Sequence, residues 1–160
     1  MSKTIAPAPV RRAVTVKAPQ ARAFEAFTAD MGRWWPKQYS VGSAPHKTAT
    51  LEARVGGRWY ETGEDGSECL WGEVLAWEPP SRMVLAWRIS ADWKYDPAIH
   101  TEVEVRFIPL TQGGTRVELE HRLLENLGVG EEASRTSFES DHGWGWLLDG
   151  YAAVADATVA

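Results

Sequence analysis

The chain has 160 residues, about one domain's length, and its 44% hydrophobic and 24% charged residues exclude a wholly disordered polymer. Seventeen basic against 22 acidic residues give a net charge of −5, which does not favour sequence-independent binding of nucleic acid. No apolar run approaches the roughly 18 residues of a membrane-spanning helix, so neither a nucleic acid nor a membrane is an expected partner.

Taken in chain order, Met1–Pro9 is broken by prolines and reads as a frayed tail, too short for a signal-peptide core. Val10, Arg12, Val14 and Val16 share one side of a period-2 pattern and predict a first strand over Val10–Ala18. Pro19 suits a first helical turn, and Ala23, Phe24, Phe27 and Met31 follow at helical spacing, with Gly32 as the break. Arg33, Trp34, Trp35 and Pro36 predict a second short helix, and Tyr39–Lys47 a loop. Six strands are predicted next: Thr48–Val55, Trp59–Thr62, Glu68–Trp77, Arg82–Ile89, Thr101–Pro109 and Gly114–Arg122. Gly56-Gly57, Asp65-Gly66, Pro79-Pro80 and Gln112-Gly113-Gly114 supply the turns between them.

In the last two strands Val103, Val105 and Phe107 oppose Glu102, Glu104 and Arg106, and Val117, Leu119 and His121 oppose Glu118, Glu120 and Arg122. That is a sheet with one buried and one wet face. The strand at Glu68–Trp77 is apolar on both sides, which predicts either a bulge that switches register near Gly72 or cover from a partner subunit, as in a homodimer. Beyond Gly130 the period is helical again, and Trp144, Leu147, Leu148, Tyr151, Val154 and Ala155 form the apolar stripe of a long C-terminal helix. Gly143 and Gly145 point to a kink or a late start near Asp141, and Ala157–Ala160 is expected to fray. The expected fold class is α+β: one domain over 1–160, with a curved antiparallel sheet of six or seven strands wrapped around a long C-terminal helix, and two short helices after strand 1.

An ordered series carries a family resemblance: Val55-Gly56-Gly57-Arg58-Trp59, Asp65-Gly66, Gly72-Glu73-Val74, Pro79-Pro80, Arg82-Met83-Val84, Trp87, Thr101–Phe107, Gly114-Thr115-Arg116-Val117, His121 and His142-Gly143-Trp144. From about Val10 to Ala155 the chain resembles the activator of heat-shock-protein-90 ATPase homologue-like family of the START-like (SRPBCC) superfamily. The resemblance implies a helix-grip fold with a hydrophobic cavity between the sheet and the last helix. Superfamily members include lipid carriers, hormone receptors, cyclases, hydrolases and co-chaperone domains, so the fold alone assigns no activity.

Nine tryptophans are the residues best suited to such a cavity, since an indole is a broad, rigid wall with one polar atom. They also fill cores too wide for aliphatic side chains. The expected lining is Trp35, Trp59, Trp71, Leu85, Trp87, Val105, Phe107, His121, Trp144 and Leu148, while Trp93, among polar neighbours, is a rim or partner contact. His121 is either a donor or base presented to the cavity or a hydrogen-bonded histidine near the sheet edge, and His142 serves packing or entry of the helix. Glu61 and Glu73 are acid–base candidates if they point inward, and surface ion-pair partners otherwise. No catalytic motif, metal-ligand spacing or cofactor fingerprint is recognised. Cys69 is the only cysteine, so an internal disulfide is excluded and a cytoplasmic location is expected. The expected function is therefore binding of a small hydrophobic or aromatic molecule. The alternatives are a protein partner, such as a chaperone or regulator, and an enzyme of cyclase or hydrolase type working in the same cavity.

Overall fold

The computed structural model describes residues 9–36, 39, 41–42, 44–141 and 143–157. The expectations for His142, for the tail before Pro9 and for residues 158–160 fall outside them. Strand β1 (Val10–Val16) leads into helices α1 (Gln20–Thr28) and α2 (Met31–Trp34). Six strands follow: β2 (His46–Leu51), β3 (Arg58–Gly63), β4 (Glu68–Glu78), β5 (Arg82–Trp87), β6 (Thr101–Pro109) and β7 (Thr115–Arg122). A 3-10 segment, Leu124–Gly130, then leads to α3 (Glu131–Glu139) and α4 (Trp144–Ala157).

The strands form one curved antiparallel sheet in the order β1-β7-β6-β5-β4-β3-β2, an α+β helix-grip fold. Alternation on β6 and β7 has the consequence expected of it. Val105 stands opposite Leu119 and Phe107 opposite Val117, all buried. On the wet face Arg122 reaches Glu102, Glu104 and Glu120. Strand β1 closes the far edge by pairing with β7, Val14 against Val117.

Several boundaries differ from the sequence reading. Helix α1 stops at Thr28, whose hydroxyl donates back to the Phe24 carbonyl at 2.9 Å, so Met31 and Gly32 belong to α2. Strand β2 begins at His46 and ends at Leu51, because the Arg54 amide bonds the Glu52 carbonyl and the Gly57 amide the Arg54 carbonyl, both at 2.9 Å, turning the chain. The apolar strand β4 carries two irregularities: Trp71 is the extra residue against β3, and Leu75 is the extra residue against β5. Bulges of this kind place neighbouring residues on one face, the first of the two expectations for this strand, while Leu70, Leu75 and Ala76 stay half-buried. The helical region after Gly130 is two helices, α3 and α4, broken at Ser140–Gly143.

The trough of the sheet is not open along its length. At the α1 end Phe27 meets Phe107 at 5.8 Å and Tyr151 at 5.2 Å, and Phe24 meets Phe107 at 5.1 Å, all close to edge-on. The Tyr151 hydroxyl donates to the Ala23 carbonyl at 2.7 Å and ties α4 to α1. These side chains fill the space that a continuous cavity would need. Among the described residues, room remains in the trough where β5 ends.

Candidate functional site

At that end lies a pocket of about 330 Å³, near the lower limit for small-molecule sites. The connection from α2 to β2 contributes Trp35, Tyr39 and Val41; β5 ends on Trp87, and the β5–β6 connection brings Trp93. Helix α3 and the turn after it add Ser137, Phe138 and Ser140; α4 and the residue before it add Gly143, Trp144 and Leu147.

The rings of the wall meet edge to face, the arrangement their quadrupoles favour. Trp87 lies 6.0 Å from Trp144 and 6.1 Å from Phe138, Trp35 lies 6.2 Å from Trp144, and Trp93 lies 6.3 Å from Phe138. Trp87 Nε1 is buried and has no hydrogen-bond partner among the described residues. An unmet donor of that kind costs about 1–3 kcal/mol.

Of the residues expected to line a cavity, Trp35, Trp87 and Trp144 stand in this wall. The other seven do not. Trp59 and Trp71 form a layer behind Trp35, at 6.3 and 4.7 Å, with Trp59 Nε1 on Met31 Sδ and Trp71 Nε1 on Glu61 Oε1. Leu85, Val105, Phe107 and Leu148 are core residues, since the aromatic plug at the α1 end occupies the trough they face. His121 is wholly buried behind Trp144. Trp93, read as a rim or partner contact, is at the pocket mouth. Tyr39, Val41, Phe138 and Leu147 were not singled out for the site: Phe138 is a lone aromatic on a polar helix, and the first two lie in an irregular connection. Only the helical phase shared by Leu147 and Trp144 offered a signal.

The two acid–base candidates on the strands part company. Glu73 faces outward and pairs with Arg88. Glu61 is 1% exposed, and its Oε1 accepts from the Val41 amide at 2.5 Å and from Trp71 Nε1 at 3.0 Å, while Oε2 lies 3.4 Å from His46 Nδ1. It is a strut for the pocket wall. Burial, and then the nearby Glu61 charge, push the Cys69 thiol up and make it a poorer nucleophile.

His121 has both ring nitrogens engaged. Trp144 Nε1 donates to Nδ1 at 3.1 Å, Nε2 donates to Thr101 Oγ1 at 2.9 Å, and that hydroxyl donates to the Trp87 carbonyl at 2.8 Å. The relay needs the neutral ring, and burial lowers the imidazole pKa to about 3. It offers the pocket no free base. Among the described residues no group of three His, Cys, Asp or Glu side chains gathers as a metal ion would require.

A larger depression, about 610 Å³, lies on the outer face of β1, β7 and β6 and is lined mainly by arginines and glutamates. Its Arg11, Arg106, Arg116 and Arg122 already pair with Glu120, Glu104 and Glu118. Charge there is largely compensated within the sheet, so the aromatic pocket is the better ligand site. No helix of the described residues is long and apolar enough to cross a membrane.

A family profile described as Activator of Hsp90 ATPase homolog 1-like protein matches residues 17–156. Among solved structures, the anthrahydroquino-gamma-pyrone synthase Txn09, complexed with SUM, is 36% identical, with 93% of this chain and 97% of that one covered and a TM-score of 0.65. The self-sacrificing resistance protein CalC from Micromonospora echinospora is 31% identical over 96% and 97% of the two chains, with a TM-score of 0.67. Protein MLL2253 from Mesorhizobium loti, 18% identical over 95% and 99%, shares the fold with a TM-score of 0.63. A search of curated proteins finds no match.

Proposed function

The chain belongs to the Activator of Hsp90 ATPase homolog 1-like family, and from that premise we propose that it binds a small, planar aromatic molecule in the pocket between β5, α3 and α4. The observation that carries this reading is the wall itself: Trp35, Trp87, Trp93, Phe138 and Trp144 converge on one opening. Rings of that kind contribute large apolar area at little entropic cost and prefer another ring as a partner. The unmet Trp87 Nε1 donor adds a place where a ligand oxygen would be favourable after a small side-chain shift. One relative above 30% identity supports the reading, being named as a synthase of an anthrahydroquino-gamma-pyrone.

Burial of about 300 Å² of apolar ligand surface would supply roughly 7 kcal/mol before ordering costs, so micromolar affinity is within reach. Titration of anthraquinone-2-sulfonate against the intrinsic tryptophan fluorescence tests the reading. Saturable quenching, abolished in Trp144→Ala, is the expected result. Quenching that stays linear and identical in the variant would reject the pocket. The enzymatic alternative has less support from the described residues, where His121, behind Trp144, is neutral and bonded at both ring nitrogens. A protein partner or a homodimer is supported by fewer observations: Trp93 lines the pocket, and bulges account for part of the apolar character of β4.

A further inference from the structure

We infer that Trp93 is the specificity-determining lid of this pocket, an indole held over its mouth in a strained conformation so that it stacks on a planar ligand; the inference rests on the ligand-binding reading above. Trp93 has φ of 59°, in the left-handed region, where a side chain's Cβ crowds the backbone. Glycine is the residue such a position ordinarily takes. The loop nevertheless enforces it. Ile89 bridges Tyr95, the Ser90 amide bonds the Lys94 carbonyl at 2.8 Å, and the Trp93 amide bonds the Ser90 carbonyl at 2.9 Å. Ser90 Oγ also accepts from the amides of Asp92 at 3.2 Å and Lys94 at 3.3 Å. From outside, Ala91 rests on Gly130, where an added Cβ would stand 2.3 Å from the Ala91 Cβ.

All this holds an indole that the core does not need. Trp93 is 44% exposed, and its ring partner among the described residues is Phe138, met edge-on at an interplanar angle of 87°. Phe138 is the ring that continues to Trp87 and Trp144, so Trp93 extends the aromatic wall outward to its rim. The other large exposed apolar residues, such as Val55, Val129 and Leu110, belong to no cavity among those described. Backbone strain persists where the surroundings over-determine it, and ligand clamps are a recurrent place for it. A broad ring gains most from a flat partner, so the lid selects planar aromatic ligands over flexible aliphatic ones of similar size.

Isothermal titration of anthraquinone-2-sulfonate and of decanoate into wild type, Trp93→Gly, Trp93→Ala and Trp93→Phe, with a thermal melt of each protein, tests this. Both the Gly and Ala variants should weaken anthraquinone-2-sulfonate about tenfold, while Trp93→Phe keeps most of the affinity. Decanoate should bind all four proteins alike. The Gly variant should melt above the Ala variant, since both lack the ring and only Ala retains the left-handed strain. Unchanged anthraquinone-2-sulfonate binding in the Gly variant overturns the lid, and so does an affinity order that follows the melting order. Equal loss for both ligands, or wild type taking decanoate alone, overturns its selectivity for planar rings. Wild type binding neither ligand removes the pocket reading and the lid together, whereas wild-type binding with indifferent variants removes the lid alone.

Discussion

His121 links the pocket wall to the sheet through a relay that works in one protonation state. With Nδ1 accepting from Trp144 and Nε2 donating to Thr101, a second ring proton would confront an indole N–H with another donor. Burial holds the folded pKa at about 3, whereas an unfolded histidine titrates near about 6.5. The folded pKa is depressed, so the unfolded chain binds the proton first, and stability is full above about pH 6.5 and drains as pH falls towards about 3. Urea unfolding across this window should show a steeper acid loss in wild type than in His121→Leu. The variant should also be weaker by about 1–3 kcal/mol at neutral pH, because two buried polar partners lose their acceptor or donor. Parallel pH profiles for the two proteins would mean that His121 is not a buried neutral ring.

At the scale of elements, the pocket depends on how irregular segments are fastened to regular ones. The connection between α2 and β2 supplies Tyr39 and Val41 to the wall, and β3 anchors it through the buried Glu61 carboxylate on the Val41 amide. Glu61→Leu leaves the half-buried Val41 and buried Trp71 N–H groups without that acceptor, an expected loss of about 2–4 kcal/mol for the two donors. Glu61→Gln retains one acceptor oxygen and should lose less. Amide exchange at Val41 should accelerate in the Leu variant, with weaker anthraquinone-2-sulfonate binding beside it; unaltered exchange would show that Glu61 does not fasten the strap. The second fastening is the break between α3 and α4. A Cβ on Gly143 would sit 2.1 Å from the Phe138 carbonyl oxygen, so only glycine lets α4 start so close to the end of α3.

These fastenings explain which parts were legible in the sequence. Strands β6 and β7 could be read because a wet face forces charged residues to alternate with apolar ones, as Glu102, Glu104 and Glu120 do here. Trp35, Trp87 and Trp144 could be picked as cavity candidates from their type and element, but not separated from Trp59 and Trp71, since core filling and wall building use the same indole. The separation is made by the α1 plug and by the bulge at Trp71, both of which depend on contacts across the fold. Helix α3 shows only Ser134 and Phe138 buried, too narrow a stripe to announce itself in a chain read by period.

Across the whole molecule, the two faces of the sheet carry separate duties. The concave face holds the pocket, and the outer face holds an ion-pair network centred on Glu104, which is 5% exposed and meets Arg82, Arg106 and Arg122. Burial by itself would raise the Glu104 carboxyl, but hydrogen bonds from Arg82, Arg122 and Arg106 override it and hold it at about 2. Its folded pKa is depressed, so its contribution is complete above the unfolded value of about 4.3 and is lost as pH falls towards about 2. That window overlaps the lower part of the one governed by His121 and extends beneath it, which gives the acid limb of the stability curve a lower stage, from about pH 3 to about 2, that belongs to Glu104. Glu104→Gln should cost on the order of 2 kcal/mol at neutral pH, a fall in Tm of about 4–8 °C for a chain of this size, and should remove the lower stage. Because Glu104 points away from the concave face, the same variant should bind anthraquinone-2-sulfonate as wild type does, measured well below its Tm. A weakened affinity there would mean that the outer network sets the curvature of the sheet, and hence the position of Trp87, rather than stability alone.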